Sequence, residues 1–294
     1  MKILLTGANG YIGSRLLPLL AEKGREIYAL VRDRSRIVVP KDLQSRLHVI
    51  EADLLNPSSL EKIPDDIEAA YYLVHSMSDS SQFAELEARA VKNFVKRLEK
   101  TQARQIIYLS GLANEAALSN HLTSRKHVGE ILRQGKIPVT ILMAGIIIGS
   151  KSASFGIIRD LVERLPVMIA PRWLLHLTQP IGIDDVLAYL LAVLGAQVCL
   201  GRSFEIGGPD VLSYRELLLQ YAEVRGLKRK IWVVPVLTPR EAKGLEFDHV
   251  IVVEPALVAA REQGLRELYV ALTRPTKTLV VLHARPLPEA LRIP

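Results

Sequence analysis

Three glycines at regular spacing follow a short apolar segment at the start of the chain. Lys2–Thr6 is a five-residue run typical of a β-strand, and glycines then follow in the pattern GxxGxxG. In a loop between a strand and a helix, such glycines permit a tight turn, close approach of a pyrophosphate and close packing of the helix. The alternative is a turn with a structural role only. We expect this loop and the helix amides behind it to hold nucleotide phosphates, through Gly7, Ala8, Asn9, Gly10, Tyr11, Ile12 and Gly13.

A basic residue lies where the second strand is predicted to end. The run Glu26–Val31 is followed by Arg32, and Arg34 and Arg36 add positive charge nearby. An acidic residue at this place binds the ribose 2′-hydroxyl of NAD, whereas an arginine suits the 2′-phosphate of NADP. Asp33 keeps the NAD alternative open if the strand ends one residue later, and a solvated basic loop is a further alternative. The sequence thus predicts NADP(H) as the cofactor, with NAD(H) as the alternative.

Two further segments come directly after predicted strands. Asp53 and Leu54 follow the third strand, His48–Glu51, at a position suited to contact adenine. His75 follows the fourth strand, Ala69–Val74, and is expected on the nicotinamide side. Because ligands of open α/β sheets bind outside the carboxyl ends of the strands, we expect both segments to lie near the glycine loop.

Apolar segments alternate with amphipathic ones along most of the chain. The strands lack polar alternation, which is typical of a parallel sheet covered on both faces. A short helix is predicted to start at Leu60, a sixth strand spans Val139–Ile148, and prolines between 166 and 180 indicate loops. The predicted fold is α/β: a doubly wound parallel Rossmann sheet with a smaller C-terminal lobe and an extra α/β tail. We predict domain boundaries that give segments 1–150, 151–236 and 237–294.

The composition argues against several classes of partner. The 294 residues include 38 Lys and Arg against 31 Asp and Glu, a formal net charge of +7, but both signs mix along the helices. This favours a solvated surface over a nucleic-acid patch. The single cysteine, Cys199, forms neither an internal disulfide nor a zinc site by itself, and no segment approaches the ~18 apolar residues of a membrane span. We expect a cytoplasmic protein with a small-molecule substrate, no metal site and no membrane or nucleic-acid partner.

Several motifs together resemble the atypical short-chain dehydrogenase/reductase group, specifically its NmrA-like and complex-I-39-kDa-subunit-like members. They are TGANGYIG at 6–13, ALVRD at 29–33, EADL at 51–54, YLSGL at 108–112, ERLPVM at 163–168, QPIGIDDV at 179–186 and FEIGGPDVLSYRELL at 204–218. The resemblance runs from Met1 to about Arg240. It implies an NADP-binding fold, with reductase activity in some members and none in others.

The same resemblance implies candidate catalytic residues. Active members use Tyr-x-x-x-Lys, in which the tyrosine exchanges a proton with the substrate while the lysine lowers the tyrosine pKa and holds the ribose. By position, His121 replaces the tyrosine and Arg125 replaces the lysine; Lys126 is an alternative, but its partner Leu122 cannot donate a proton. Ser110 matches the family serine that orients a carbonyl. Two hypotheses follow: an NADP-dependent oxidoreductase, or a non-catalytic NADP-binding sensor or assembly factor.

The last 60 or so residues carry motifs of a different kind. EAKGLEFDHVIVVEP at 241–255 and ELYVALTRP at 267–275 resemble the last two motifs of superfamily 1 helicases of the UvrD/Rep type. In that family the arginine that corresponds to Arg274 reaches the γ-phosphate of ATP. Such an arginine acts only when the phosphates are already held, and the chain contains no GxxxxGK[ST] loop. The third hypothesis, an ATPase remnant, therefore ranks last, and strands His249–Glu254 and Lys277–His283 are expected either to pair in parallel or to extend another sheet.

Overall fold

The strands are short and mostly parallel, as their apolar sequences predict. The computed structural model describes residues 1–37, 39–40, 43–74, 81–112, 120–234, 247–260, 263–283 and 285–291, with the backbone alone at 81–83, 120–123, 247–249 and 290. Within these residues the strands are β1 Lys2–Thr6, β2 Glu26–Val31, β3 Leu47–Glu51, β4 Ala69–Tyr72, β5 Ile106–Gly111, β6 Val139–Ala144, β7 Ile147–Ile148, β8 Val167–Pro171, β9 Leu177–Thr178, β10 Ile181–Gly182, β11 Ser203–Ile206, β12 Leu212–Ser213, β13 Lys230–Val234, β14 Phe247–Val253 and β15 Pro275–Leu282.

Helices separate most of these strands. They are α1 Gly13–Glu22, α2 Pro57–Leu60, α3 Ser81–Leu98, α4 Asn120–Arg133, α5 Ala153–Arg164, α6 Ile183–Ala192, α7 Tyr214–Val224, α8 Pro255–Ala259 and α9 Gly264–Leu272. Ser213 caps α7 as its sequence predicts, because its hydroxyl accepts from the Glu216 amide while the Glu216 carboxylate accepts from the Ser213 amide.

Seven strands form one parallel sheet in the order β11-β6-β5-β4-β1-β2-β3. Successive residues of each strand face opposite sides, so Ile3 and Leu5 pack with α1 and α6, whereas Leu4 packs with α2, α3 and α4. This two-sided burial explains the unbroken apolar runs, and it confirms the doubly wound α/β class. The carboxyl ends of β1, β4 and β5 consequently lie side by side.

Two predicted elements differ in the structure. Leu60 ends α2 instead of starting it, because Asn56 caps the helix through the Ser58 amide and Pro57 takes the first helical position. The predicted sixth strand is divided into β6 and β7, and β7 pairs with β10 instead of continuing in the main sheet. The reason lies at Gly145, where a Cβ would approach the Gln179 carbonyl oxygen to 2.8 Å.

The chain between residues 166 and 206 is also more ordered than its prolines indicate. The stretch predicted as loops contains β8, a 3-10 turn at Arg172–Leu175 and β9. Strand β11, which lies within the range predicted as the smaller lobe, pairs in parallel with β6 as the edge strand of the main sheet.

Contacts divide the chain into two compact units. The first comprises Met1–Pro166 and Leu175–Lys230, and the second comprises Val167–Leu174 and Ile231–Pro294. In the second unit β14 and β15 pair in parallel, which confirms one of the two arrangements predicted for the tail, and Val252 and Leu268 are buried there. The three-segment division at 150 and 236 stays a prediction.

Candidate functional site

The glycine loop begins where β1 separates from β4. The buried Thr6 hydroxyl donates to the Tyr71 carbonyl oxygen at 3.0 Å and accepts from the Leu73 amide at 3.2 Å. Gly7 then adopts φ +70°, and a Cβ on it would lie 2.6 Å from the Leu73 carbonyl oxygen. Because both the left-handed conformation and the close approach exclude a side chain, Gly7 is required for the turn itself.

The other two glycines have different surroundings. A Cβ on Gly13 would lie 2.2 Å from the Gly7 carbonyl oxygen, so the third glycine packs against the loop itself instead of against the sheet. A Cβ on Gly10 would meet only the Gly7 carbonyl oxygen, at 3.1 Å. Gly10 is exposed, whereas Ala8 and Gly13 are buried. The exposed middle of the loop is therefore the part that a ligand can approach closely.

The N-terminus of α1 follows the loop directly. Among the described residues no side chain caps this end, and the first turn contains no acidic residue. Uncapped amides and the positive end of the helix dipole favour an anion here. The loop of Gly7, Ala8, Asn9, Gly10, Tyr11, Ile12 and Gly13, which we term the phosphate cradle, has an exposed middle and leads into an uncapped helix N-terminus. That it holds nucleotide phosphates stays a prediction.

The charged residues predicted to determine the cofactor preference follow the carboxyl end of β2. Asp33 caps a 3-10 turn at Arg34–Arg36: its carboxylate accepts from the Ser35 amide at 2.9 Å and from the Ser35 hydroxyl at 2.7 Å, and lies 3.7 Å from the Arg36 guanidinium. These hydrogen bonds hold the pKa of Asp33 below its usual value. Arg32 is exposed and makes no hydrogen bond or ion pair within the described part of the chain.

A cleft of about 300 Å³ lies between the glycine loop and this turn. Its lining includes Asn9, Ser14 and Arg36 as polar residues. The other lining residues are apolar, namely Ala8, Leu17, Pro18, Ile37, Pro40 and Leu43, so the cleft is mainly apolar with one guanidinium.

The residues expected at adenine and nicotinamide are only partly described. The Asp53 carboxylate accepts from the Leu55 amide at 2.9 Å, and the Asp53 amide donates to the Ser59 hydroxyl at 3.0 Å. The Leu54 side chain is buried in the core, so only its backbone is suited to a ligand. His75 lies outside the described residues.

Ser110 belongs to a small polar network between β5, α3 and α4. It is 7% exposed and lies two residues after Tyr108 on the same face of β5, where its hydroxyl lowers the pKa of Tyr108. The Tyr108 hydroxyl donates to the Arg125 carbonyl oxygen at 3.1 Å. Burial raises the Tyr108 pKa far above its ordinary value, and the Ser110 hydrogen bond lowers it by less, so this hydroxyl stays protonated near neutral pH. The network holds Ser110 close to the start of α4.

The helix of the expected catalytic pair is present as α4. It contains both His121 and Arg125, and Arg125 is half-buried, while the His121 side chain lies outside the described part of the structure. The Ser124 hydroxyl donates to the Glu87 carboxylate of α3. The sequence analysis did not identify Tyr108 or Glu87 as part of this network. The two-residue spacing of Tyr108 and Ser110 indicates that both lie on one face of a strand. The approach of Glu87 depends on helix packing, which no local pattern reveals.

The Arg274 side chain forms hydrogen bonds with its own segment of the tail. Its Nε donates to the Val270 carbonyl oxygen at 3.3 Å, and a terminal nitrogen donates to the Thr273 hydroxyl at 3.2 Å. A cation at the C-terminus of a helix stabilises that end. The segment 241–246 of the helicase-like motif lies outside the described residues.

Two features are absent from the described residues. No helix there is long and apolar enough to cross a membrane. The same residues contain no group of three or more His, Cys, Asp or Glu side chains arranged to hold a metal ion.

Comparison with known proteins gives matches to two family models. Residues 7–153, half of the chain, match the model described as NAD(P)H-binding, and residues 234–282 match the UvrD-like helicase C-terminal domain. An uncharacterized protein of Saccharomyces cerevisiae is 26% identical over 38% of this chain and 38% of its own length. Cinnamoyl-CoA reductase 1 of Petunia hybrida is 24% identical over 37% of this chain and 35% of its own length. The chain thus spans little more than a third of these relatives.

Solved structures share the fold at low identity. A nucleoside-diphosphate-sugar epimerase of Staphylococcus aureus has a TM-score of 0.66 at 15% identity, covering 93% of this chain and 91% of that protein. A short-chain dehydrogenase/reductase superfamily protein of Agrobacterium tumefaciens with bound NAD has a TM-score of 0.63 at 14% identity, covering 80% and 85%. Together with the glycine cradle and the parallel sheet, these matches show that the chain belongs to the NAD(P)H-binding family, with a Rossmann fold like that of short-chain dehydrogenases and epimerases.

Proposed function

We propose that the protein is an NADP(H)-dependent oxidoreductase acting on a small molecule. The observation that carries the choice of NADP(H) is the engagement of Asp33. Its Oδ1 accepts both Ser35 bonds and the Arg36 guanidinium lies 3.7 Å from its Oδ2, so the carboxylate is turned toward its own loop and its charge is partly compensated. Arg32, in contrast, is exposed at the carboxyl end of β2 with its guanidinium free of described partners.

The charge of the added phosphate fits these surroundings. NADP differs from NAD by a 2′-phosphate, and a guanidinium matches phosphate geometry with paired N–H groups. Arg36 and Asn9 line the same cleft, so a second guanidinium is available beside the glycine loop. In this proposal Arg32 is the main partner of the 2′-phosphate, and Arg36 contributes positive potential.

The remaining cofactor contacts follow the order of the strands. The amides of the glycine loop, from Gly7 to Gly13, hold the pyrophosphate at the N-terminus of α1. Asp53 and the Leu54 backbone contact adenine beyond β3, and His75 contacts the nicotinamide end beyond β4. When bound, the nicotinamide supplies or accepts a hydride.

Ser110, His121 and Arg125 are the proposed residues of the reaction. Ser110 donates a hydrogen bond that orients a substrate carbonyl, and His121 exchanges a proton with the substrate oxygen near neutral pH. Arg125 holds the cofactor ribose with its permanent charge. What supports this assignment is the network in which Tyr108 contacts both Ser110 and the Arg125 carbonyl oxygen.

Thermal-shift measurements with NADPH, NADH and ATP test the cofactor part of this proposal. A ligand that binds only the folded protein stabilises it by RT ln(1 + [L]/Kd), so at equal concentration the tighter ligand raises the melting temperature more. We expect the largest shift with NADPH, a smaller one with NADH and none with ATP. Equal shifts with NADPH and NADH would contradict the assignment of Arg32.

The second candidate is a non-catalytic NADP-binding sensor or assembly factor. It is favoured by the near-complete burial of Ser110 and by the absence of the Tyr-x-x-x-Lys pair from α4. NADPH oxidation against a panel of aldehydes and ketones separates the two candidates. Turnover that is lost in Ser110→Ala, with NADPH affinity retained, supports the enzyme, whereas tight NADPH binding without turnover of any carbonyl supports the sensor.

The finer family and location assignments belong to the same proposal. We place the chain among the NmrA-like and complex-I-39-kDa-subunit-like members, in the cytoplasm, with segments 1–150 and 151–236 forming the cofactor and substrate parts. Support comes from the motifs at 179–186 and 204–218. The helicase-like segment 237–294 is proposed to serve packing, since Arg274 is engaged at the end of its own helix.

A further inference from the structure

Arg15 joins the glycine loop to a second loop at the ligand edge of the sheet. One terminal nitrogen of its guanidinium donates to the Tyr11 carbonyl oxygen at 3.0 Å, and the other donates to the Ser150 carbonyl oxygen at 2.9 Å. These acceptors are 139 residues apart in the sequence. The planar fork of an arginine can hold two acceptors at fixed relative positions, which the single ammonium of a lysine cannot do as rigidly.

The bond to Tyr11 acts on the phosphate cradle itself. In a trans peptide the C=O and N–H groups point in opposite directions, so the carbonyl of Tyr11 and the amide of Ile12 belong to one rigid unit. Arg15 therefore fixes the direction of the Ile12 amide at the N-terminus of α1. This amide is one of the donors that an anion at the start of the helix requires.

The bond to Ser150 acts on the loop that leads from β7 into α5. In this loop Lys151 has φ +69°, a left-handed conformation that is unfavourable for a lysine. The Ser152 hydroxyl donates to the Ile147 carbonyl oxygen at 2.8 Å, and the Ser152 amide donates to the Gly149 carbonyl oxygen at 3.1 Å. The loop is thus a tight turn, and Arg15 ties it to the cradle.

The Tyr11 ring fills the space between the same two loops. The Arg15 guanidinium carbon lies 4.1 Å from the centre of the ring, and on the other side a Cβ on Gly149 would lie 2.3 Å from the Tyr11 hydroxyl oxygen. This hydroxyl is buried and has no hydrogen-bond partner among the described residues. The ring therefore contacts the Arg15 guanidinium, while the hydroxyl packs against Gly149 without a described hydrogen bond.

We propose that Arg15 and Tyr11 form a clamp that positions the phosphate cradle and couples its occupancy to the 149–152 loop. Binding of the dinucleotide at the Ile12 amide stabilises the clamped arrangement, which in turn orders the turn before α5. Arg15 is a positioning residue in this account, because it acts through backbone groups. The proposal rests on NAD(P) binding at the glycine loop and leaves the choice between NADP and NAD open.

The test combines NADPH titration with hydrogen exchange of the Ser152 and Gly156 amides, in the full-length chain. Arg15→Ala and Arg15→Lys remove the fork. Arg46→Ala is the matched control, since Arg46 makes a comparable bond, 3.0 Å to the Ala21 carbonyl oxygen, near the opposite end of α1.

We expect both Arg15 variants to bind NADPH about tenfold more weakly, the effect of losing one charged hydrogen bond. We also expect them to lose the protection that NADPH gives to the Ser152 and Gly156 amides. Arg46→Ala should keep both properties. If Arg15→Lys and Arg15→Ala bind NADPH with wild-type affinity and wild-type protection, the clamp is structural only and the proposal is wrong. Failure of the wild-type protein to bind NADPH would instead contradict the proposed function.

Discussion

The carboxylate of Asp33 accepts two hydrogen bonds from Ser35, one from the amide at 2.9 Å and one from the hydroxyl at 2.7 Å. This pairing makes Asp33 the cap of a local turn, and in our proposal it does not bind the ribose. We predict that Asp33→Ala changes the NADH affinity by less than about threefold, as expected for a surface substitution. Fluorescence titration with NADH measures this. A loss of tenfold or more would show that Asp33 binds the ribose.

Two of the three glycines should respond differently to alanine. Gly10→Ala meets a single atom at 3.1 Å, so we expect the melting temperature to stay near wild type while NADPH binding is lost. Gly7→Ala should destabilise the fold by about 1 to 2 kcal/mol through its left-handed φ alone. Thermal melts with and without NADPH separate these outcomes. Retained NADPH binding in Gly10→Ala would mean that the loop has only a structural role.

The Tyr108 hydroxyl should matter for Ser110 and not for the cofactor. In Tyr108→Phe the Ser110 side chain and the Arg125 carbonyl oxygen lose a partner, so we expect a stability loss of about 1 kcal/mol for one buried hydrogen bond. NADPH affinity should be unchanged, and any carbonyl reduction should fall as it does in Ser110→Ala. Unchanged turnover in Tyr108→Phe would exclude a role for the hydroxyl in positioning Ser110.

The helicase-like tail should show no ATP hydrolysis. An arginine accelerates phosphoryl transfer only together with a phosphate loop and a bound metal ion, and the sequence contains no GxxxxGK[ST] motif. We predict that wild type and Arg274→Ala release phosphate from ATP at the same background rate and bind NADPH equally well. ATPase activity that disappears in Arg274→Ala would move the helicase hypothesis to first place.

The parts of the fold that depend on local pattern could be predicted from the sequence. The glycine spacing and the apolar run of β1 are each complete within a few residues, and the structure agrees with them. The division of β6 from β7 depends on the approach of Gln179 to Gly145, and the position of Glu87 depends on the packing of α3 against α4. Contacts of this kind join residues that are far apart in sequence, so no local pattern reveals them. Ser35 is the exception, because its spacing from Asp33 is that of a common turn.

Replacement of Arg32 at the end of β2 by an acidic residue is the sharpest test of the NADP(H) assignment. Titration of NADPH and NADH into the wild-type protein and Arg32→Asp measures four dissociation constants. Loss of a charge-assisted contact is worth about 10- to 100-fold, so wild type should prefer NADPH by at least tenfold. In Arg32→Asp the preference should reverse, because the new carboxylate repels the 2′-phosphate and accepts from the ribose 2′-hydroxyl. Equal affinities for the two cofactors in the wild-type protein, unchanged by the exchange, would contradict the NADP(H) assignment.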